Sequence, residues 1–355
     1  MAMQHSRWRF GLALAVLMSI AFAAQLPSRA AAQTTRLEDV VIFAMPGGPA
    51  QDSLQKCIAG DFTKRFNVRI EFLSIQNPQA LARVLAQRNN PTIDVIFADD
   101  GSSYSGFKQG VFTELGAALI PNIANIDPKF AFKPGPGVLV TSSMQGLTYN
   151  TRIFREKGWA PPTSLRDLWD PKHKHRVGIF GLGAGSGQGL LAAAGFLDGG
   201  SALNFDAAFN SLAGLKPNLY TVFQQAPQYG TALLDGNNEI GFGPAPRHLA
   251  MKLQGDPVGF VQPVEGVISK EIYLQIVKGA PHPNAAAAFV NWMLSKEGQS
   301  CLPDAGYPPV IEGINVDPEL APYLKVQQKV IPVDWIKFQE NLPALLQRWN
   351  KEIDG

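Results

Sequence analysis

The densest chemical feature of the chain is the run Gly181-Leu182-Gly183-Ala184-Gly185-Ser186-Gly187-Gln188-Gly189, which follows a short apolar segment and opens an Ala/Leu-rich one. A strand running into a helix through such a turn exposes backbone N–H groups at the positive end of the helix dipole, an arrangement suited to an anion. The same glycines also suit an ordinary strand-to-helix turn whose backbone angles require them. Ser186, Gly187 and Gln188 are the candidate ligand contacts, Ser186 and Gln188 as side-chain donors. The fingerprint G-x-G-x-x-G is not met in any frame, because Ser186, Gln188 and Leu190 stand where the third glycine belongs, and no Gly-Lys-Ser/Thr phosphate loop follows. A second polar cluster, Asp99-Asp100-Gly101-Ser102 with Tyr104, closes another apolar run. It offers carboxylates to an amine, or forms an Asx-rich turn.

Catalytic and metal chemistry find less support. Ser186 as a hydrolase nucleophile lacks the elbow G-x-S-x-G, since Ala184 and Gln188 replace its outer glycines. His248 and His282 are the candidate bases, each beside a proline or at a helix start, where a lone histidine is usually solvated. His173 and His175 could make a surface metal pair, but a polar turn before a strand fits Lys172–Arg176 better. No metal ligand set and no catalytic residue is assigned. Cys57 and Cys301, the two cysteines of the chain, allow one intramolecular bridge or two buried thiols.

The 355 residues suffice for two or three domains, and 46% hydrophobic with 17% charged residues supports a large core. Residues 1–32 hold Arg7, Arg9 and Arg29 of the 31 bases and none of the 29 acids, so the remainder carries 28 bases against 29 acids. Such a balance gives nucleic acid no electrostatic attraction. The same 32 residues read as a cleavable secretory signal: a basic start, an apolar run from Gly11 to Ala24, and Ala30 and Ala32 one residue apart before Gln33. Trp8 separates Arg7 from Arg9, so there is no twin-arginine signal, and no cysteine near the cut suggests a lipid anchor. The expected address is the periplasm, which permits disulfides and offers no pool of ATP or NAD; no cofactor is expected.

The elements that must position these residues alternate. Val40–Met45 reads as a strand, followed by Pro46-Gly47-Gly48-Pro49 as a turn and a helix carrying Leu54, Ile58, Phe62 and Phe66. Val68–Ile75 and Asp94–Ala98 read as strands about a helix near Leu81–Leu85. After a looser stretch from Pro121 to Pro136, strands are expected near Val138–Thr141 and Gly146–Asn150. A second series holds strands at Arg176–Phe180, Tyr220–Phe223, Glu239–Phe242, Val258–Val261 and Glu271–Val277. Its helices are Phe205–Leu215, Asn284–Leu294 and Asp334–Ile353, with a further helix start capped by Thr163 or Ser164 and Asp167. Two mostly parallel α/β sheets flanked by helices, joined by extended segments, leave a cleft between lobes.

On these residues the chain resembles the solute-binding proteins of bacterial ABC importers, type II, in the family of the polyamine and ferric-iron receptors. The carriers are Gly146-Leu147-Thr148-Tyr149-Asn150, Asp235-Gly236, Pro263-Val264-Glu265-Gly266, Val277-Lys278-Gly279-Ala280-Pro281, and the helix Ala285–Leu294 continued by Ser295-Lys296-Glu297-Gly298-Gln299. The resemblance implies a signal peptide at 1–32, an N-lobe of 36–145 and 266–308, and a C-lobe of 149–263 and 312–355. Hinges fall near 141–150 and 258–270, and both cysteines fall in the N-lobe, which favours the bridge. Tyr149 and Glu265, at the two crossings, join the candidate ligand contacts. The family's iron receptors use adjacent tyrosines, which this sequence lacks. Its polyamine receptors place an aromatic and a carboxylate shortly after the Pro-x-Glu-Gly turn; here Lys270 and Ile272 stand there, and Arg247 stands where a tryptophan would. Arg247 and Lys270 reverse the preferred charge, and a guanidinium fits a carboxylate or phosphonate. With Asp99, Asp100, Ser102 and Tyr104 opposite, the implied solute is a small organic anion or zwitterion, with a polyamine, or ferric iron, as the family's alternative. A monomeric receptor would pass it to an inner-membrane permease, without chemistry on the solute.

Overall fold

A computed structural model describes residues 36–127 and 137–354. The expected signal segment, and part of the stretch from Pro121 to Pro136, lie outside them. Strand β1 (Val40–Met45), helix α1 (Pro49–Phe66), β2 (Arg69–Ser74), α2 (Asn77–Ala86), β3 (Val95–Asp99) and α3 (Asp100–Lys108) form the first series. The long strand β4 (Val138–Asn150) follows, then α4 (Thr151–Glu156), β5 (Val177–Phe180), α5 (Gly185–Gly199), α6 (Phe205–Leu215), β6 (Leu219–Phe223), α7 (Ala226–Asp235), β7 (Ile240–Pro244) and α8 (Ala245–Leu253). The remainder is β8 (Val258–Val261), β9 (Ile268–Ile276), α9 (Pro283–Met293), α10 (Lys296–Ser300), α11 (Ala321–Leu324) and α12 (Trp335–Glu352).

Local chemistry accounts for the element ends. Pro49 starts α1, where its missing N–H costs nothing, and Gly48 precedes it at φ 109°, a backbone state that side chains disfavour. Asn67 ends α1 in the left-handed conformation with its N–H on the Thr63 carbonyl. Ser164 and Asp167 do form a reciprocal cap, but on the 3₁₀ turn Leu165–Trp169 rather than on an α-helix. The chain stops turning at Asp170, whose backbone before Pro171 is driven to extended angles.

The strands lie in the order β2-β1-β3-β9-β4-β7-β5-β6, with β8 also paired to β4. β1 is parallel to β2 and β3, and β5 is parallel to β6 and β7. β4 and β9 run antiparallel to their neighbours and tie the two parallel sets together. β4, expected as two short strands, is one strand of 13 residues: its first part pairs with β9 from Val138 to Gln145, its last part with β7 from Gln145 to Tyr149 and with β8 from Leu147 to Asn150.

Two separate apolar cores sit on either side of this crossing. One gathers Phe43, Leu54, Phe62, Phe97, Val140, Leu274, Phe289 and Met293; Phe43 and Phe62 both meet the Phe289 ring edge to face, at 5.0 and 5.4 Å. The other gathers Leu147, Ile179, Leu191, Phe209, Phe242, Phe338 and Trp349. Such aromatic contacts contribute roughly 0.5–1.5 kcal/mol each beyond area burial.

Cys57 on α1 and Cys301 just after α10 are joined in a disulfide across 244 residues of sequence, and both pack in the first core. Replacing both by serine is expected to lower unfolding free energy by about 2–5 kcal/mol. Urea titration of the oxidised protein against the double variant measures the difference; equal midpoints would show that the bridge adds nothing.

Candidate functional site

The two cores face each other across a cleft of about 80 Å³ lined from both sides. Pro46, Gly47 and Ala50 of α1 and its approach, Gln76 and Asn77 at the start of α2, and Asp99 at the end of β3 contribute from one side. Gly185 and Ser186 at the start of α5, and Pro244, Pro246 and Arg247 at the start of α8, contribute from the other. Ser143, Gln145 and Lys270 come from the crossing strands.

These residues share a physical theme. Helices α1, α2, α5 and α8 all begin at the cleft, and none has a side-chain hydrogen bond capping its start. A helix start carries orphan N–H donors and a partial positive charge, so four of them converging favour negative charge. Arg247 adds a full positive charge. Its guanidinium lies over the Phe180 ring, 5.4 Å from the centroid, and no carboxylate among the described residues lies within ion-pair distance of it. Burial lowers its pKa to about 10, which still leaves it cationic at neutral pH. Gly48, whose φ of 109° disfavours side chains, brings the start of α1 beside that charge.

Lys270 is placed differently. Its Nζ donates to Asp99 Oδ2 at 3.1 Å and to Gln188 Oε1 at 3.3 Å, and sits 3.9 Å from the centroid of the Trp335 ring. Asp99 also accepts the Ser102 N–H at 2.9 Å, capping α3. Burial alone pushes the Asp99 carboxyl up, but Lys270 and the Ser102 bonds outweigh it and hold the pKa below the ordinary carboxylate value. Behind this group, Gln339 Nε2 donates to Gln188 Oε1 at 3.0 Å.

Of the residues singled out from sequence, the cleft therefore brings together Asp99, Ser186, Arg247 and Lys270, with Gln188 one layer behind and Ser102 supplying the cap. The others are placed elsewhere. Gly187 packs on the Gly181 carbonyl, where a Cβ would come within 2.2 Å, so its role is close packing of α5. Tyr149 stacks obliquely on Phe154 and covers Gly259. Glu265 accepts the Leu165 N–H at 3.0 Å and the Ser164 hydroxyl, fastening the 3₁₀ turn. Asp100 and Tyr104 lie on α3 outside the cleft lining.

His173, His248 and His282 are engaged within the fold. His248 Nδ1 donates to the Pro244 carbonyl at 2.8 Å, and burial drives its pKa down to about 3. His282 meets Asp94 at 2.8 Å, and His173 is fully buried between Phe154 and Trp159 while His175 is exposed. No histidine among the described residues bonds to Ser186, and His173 and His175 do not face one another on the surface. The cleft residues that sequence reading missed are Gln76, Asn77, Ser143, Gln145 and Tyr307. Pro46-Gly47-Gly48-Pro49 was readable as a turn, yet it is also the approach to an uncapped helix start.

Asp100 provides a pH signature beside the site. Burial raises its carboxyl; Lys270 partly offsets this, Asp99 and Glu271 add to it, and the pKa rises from 3.8 to about 8. The protonated form is the one the fold favours, so this stabilisation is full below the unfolded pKa near 3.8 and is lost as pH rises through about 8. Asp100→Asn is expected to melt higher than the wild type at pH 8, with the gap closing toward pH 4. Melting curves across that range check it; a gap independent of pH would assign the effect to something other than this ionisation.

Residues 58–327 match the family model described as bacterial extracellular solute-binding protein. A protein of Haemophilus influenzae, described as uncharacterized, is 28% identical over 306 residues, covering 82% of this chain and 85% of its own. The periplasmic binding protein AfuA of Actinobacillus pleuropneumoniae, with fructose-6-phosphate bound, aligns over 90% of this chain and 98% of its own at 23% identity, with a TM-score of 0.73. The binding protein AgtB of A. tumefaciens R10, in complex with agropinic acid, aligns over 90% of this chain and 100% of its own at 20% identity, with a TM-score of 0.75.

Proposed function

Since the chain belongs to the bacterial extracellular solute-binding proteins and has the type II periplasmic binding fold, we propose that it captures a small organic anion or zwitterion, a carboxylate, phosphonate or amino-acid-like solute, and delivers it intact to the permease of an ABC importer. Proteins of this family bind solutes and work with such permeases, and they are not enzymes. The observation that carries the reading is Arg247: a buried guanidinium in the cleft with no carboxylate partner among the described residues, amid four uncapped helix starts. A carboxylate or phosphonate there would take two parallel hydrogen bonds from the guanidinium and further bonds from the backbone. The ligands named for the two similar structures, fructose-6-phosphate and agropinic acid, are both acids.

Capture proceeds by closure of the two lobes about the crossing strands β4 and β9. The lobes are 36–145 with 266–308, and 149–263 with 312–355; the segments near 141–150 and 258–270 bend. A solute touching both lobes stabilises the closed form, and micromolar binding, about 8 kcal/mol, exceeds the roughly 5.5 kcal/mol needed to invert a hundredfold preference for the open one. The receptor acts as a monomer released to the periplasm by cleavage of its signal peptide.

Thermal-shift screening with organic acids, phosphonates, sugar phosphates, amino acids and polyamines is expected to raise the melting temperature with an acid. X-ray scattering should then show a smaller radius of gyration with that acid than without it. Stabilisation by spermidine alone would overturn the charge argument. Arg247→Ala is expected to lose binding at least about a hundredfold, as befits a charged hydrogen-bonded contact. The empty variant should melt no lower than the wild type, because a buried unpaired cation is removed. Unchanged affinity would take Arg247 out of the site.

A further inference from the structure

We propose that Lys270 is a built-in occupant of an ammonium subsite in the cleft, and that by filling it the chain bars amines from a site otherwise open to them. The inference rests on the cleft being the solute site and narrows the solute to one without a cationic group. Three groups surround the Lys270 Nζ: the Asp99 carboxylate at 3.1 Å, the Gln188 amide oxygen at 3.3 Å and the face of Trp335 at 3.9 Å. A carboxylate, a neutral acceptor and an aromatic face are what grips a free alkylammonium ion, by charge-assisted hydrogen bonding and by the ring quadrupole. Here the ammonium arrives on the protein's own four-carbon stem.

The subsite is built, and it is drawn from separate elements: the end of β3, the first turns of α5 and α12, and β9. Lys270 and Asp99 are nearly sealed, with side chains 2% and 4% exposed, yet both line the cleft, so the vacated position would open onto it. Gly185 completes the enclosure. A Cβ there would stand 3.3 Å from Asp99 Oδ2 and 3.7 Å from Lys270 Nζ, so glycine lets the start of α5 lie against the pair. Asp99 is the one carboxylate among the described residues that line the cleft, and Lys270 neutralises it. An entering amine would lose its water and find no acid to pair with, while Arg247 repels it.

The test deletes the occupant and returns it in solution. Lys270→Ala removes Cγ, Cδ, Cε and Nζ, and n-propylammonium has the same three carbons and nitrogen. The full-length secreted variant and the wild type are titrated with n-propylammonium chloride at constant ionic strength, and binding is read by calorimetry and by melting temperature. The expected result is binding to the variant at least about tenfold tighter than to the wild type, with a rise in melting temperature that 1-butanol, uncharged and of similar length, does not give. The wild type should respond to neither n-propylammonium nor 1,4-diaminobutane. A folded variant that ignores n-propylammonium overturns the proposal, as does a wild type stabilised by it equally. Recovery of a folded variant only with the amine present supports it. A variant that stays unfolded with and without the amine counts against it, because a filled subsite must restore the charge pairing. Failure of every acid to bind the wild type would sink the function proposed above while leaving this exchange of ammonium groups unaffected.

Discussion

The molecule depends on a single crossing in its sheet. Gln145 of β4 pairs at once with Ile268 of β9 and with Pro244 of β7, so one residue belongs to the hydrogen-bond ladders of both halves. On one side of it, β4 and β9 are covered by the core around Phe43 and Phe289; on the other, β4 meets the core around Phe242 and Phe338. Neither core extends through the crossing. The cleft is lined from both sides of this crossing and from the strands between, and Gln145 Nε2 reaches the Gly185 carbonyl from that seam at 3.3 Å.

Around the seam, charge is distributed unevenly in a way that burial enforces. Lys270 and Asp99 pair with each other, Gln188 accepts a second bond from Lys270, the Ser102 N–H donates to Asp99, and Gln339 donates to Gln188. Arg247 has the Phe180 ring face and Tyr229 and Tyr307 as neighbours, and no carboxylate among the described residues within ion-pair distance. A desolvated cation whose only surroundings are ring faces and helix starts has a standing demand for an anion, whereas a desolvated ion pair has none. The proposed selectivity for an anion follows from which of these charges the fold has already answered.

Much of the architecture was legible because apolar runs end at breakers. β1 and β8 coincide with their expected bounds, each followed within a few residues by proline. β4 was not legible as one strand, because Ser142, Ser143 and Gln145 interrupt its apolar pattern; Ser142 and Ser143 pair with β9, and Gln145 pairs with both β9 and β7, contacts that side-chain hydrophobicity does not signal. The capping pair Ser164 and Asp167 was readable, but not that Pro171 would limit it to a 3₁₀ turn. At the site, the charge of Arg247 and Lys270 was open to inspection, while the partners of Lys270 lie far away in the chain: Asp99 is 171 residues distant. No local spacing encodes such a meeting. Tyr149 and Glu265 stood at recognisable crossing segments, and the fold uses them for packing and capping.

The covalent link between Cys57 and Cys301 is confined to one of the two apolar bodies. It ties α1 to the segment after α10 and places no tether across β4 and β9. If the two bodies close about those strands as proposed, oxidation of the pair steadies one of them and leaves that closure free. On that proposal, durability and appetite fall to separate residues.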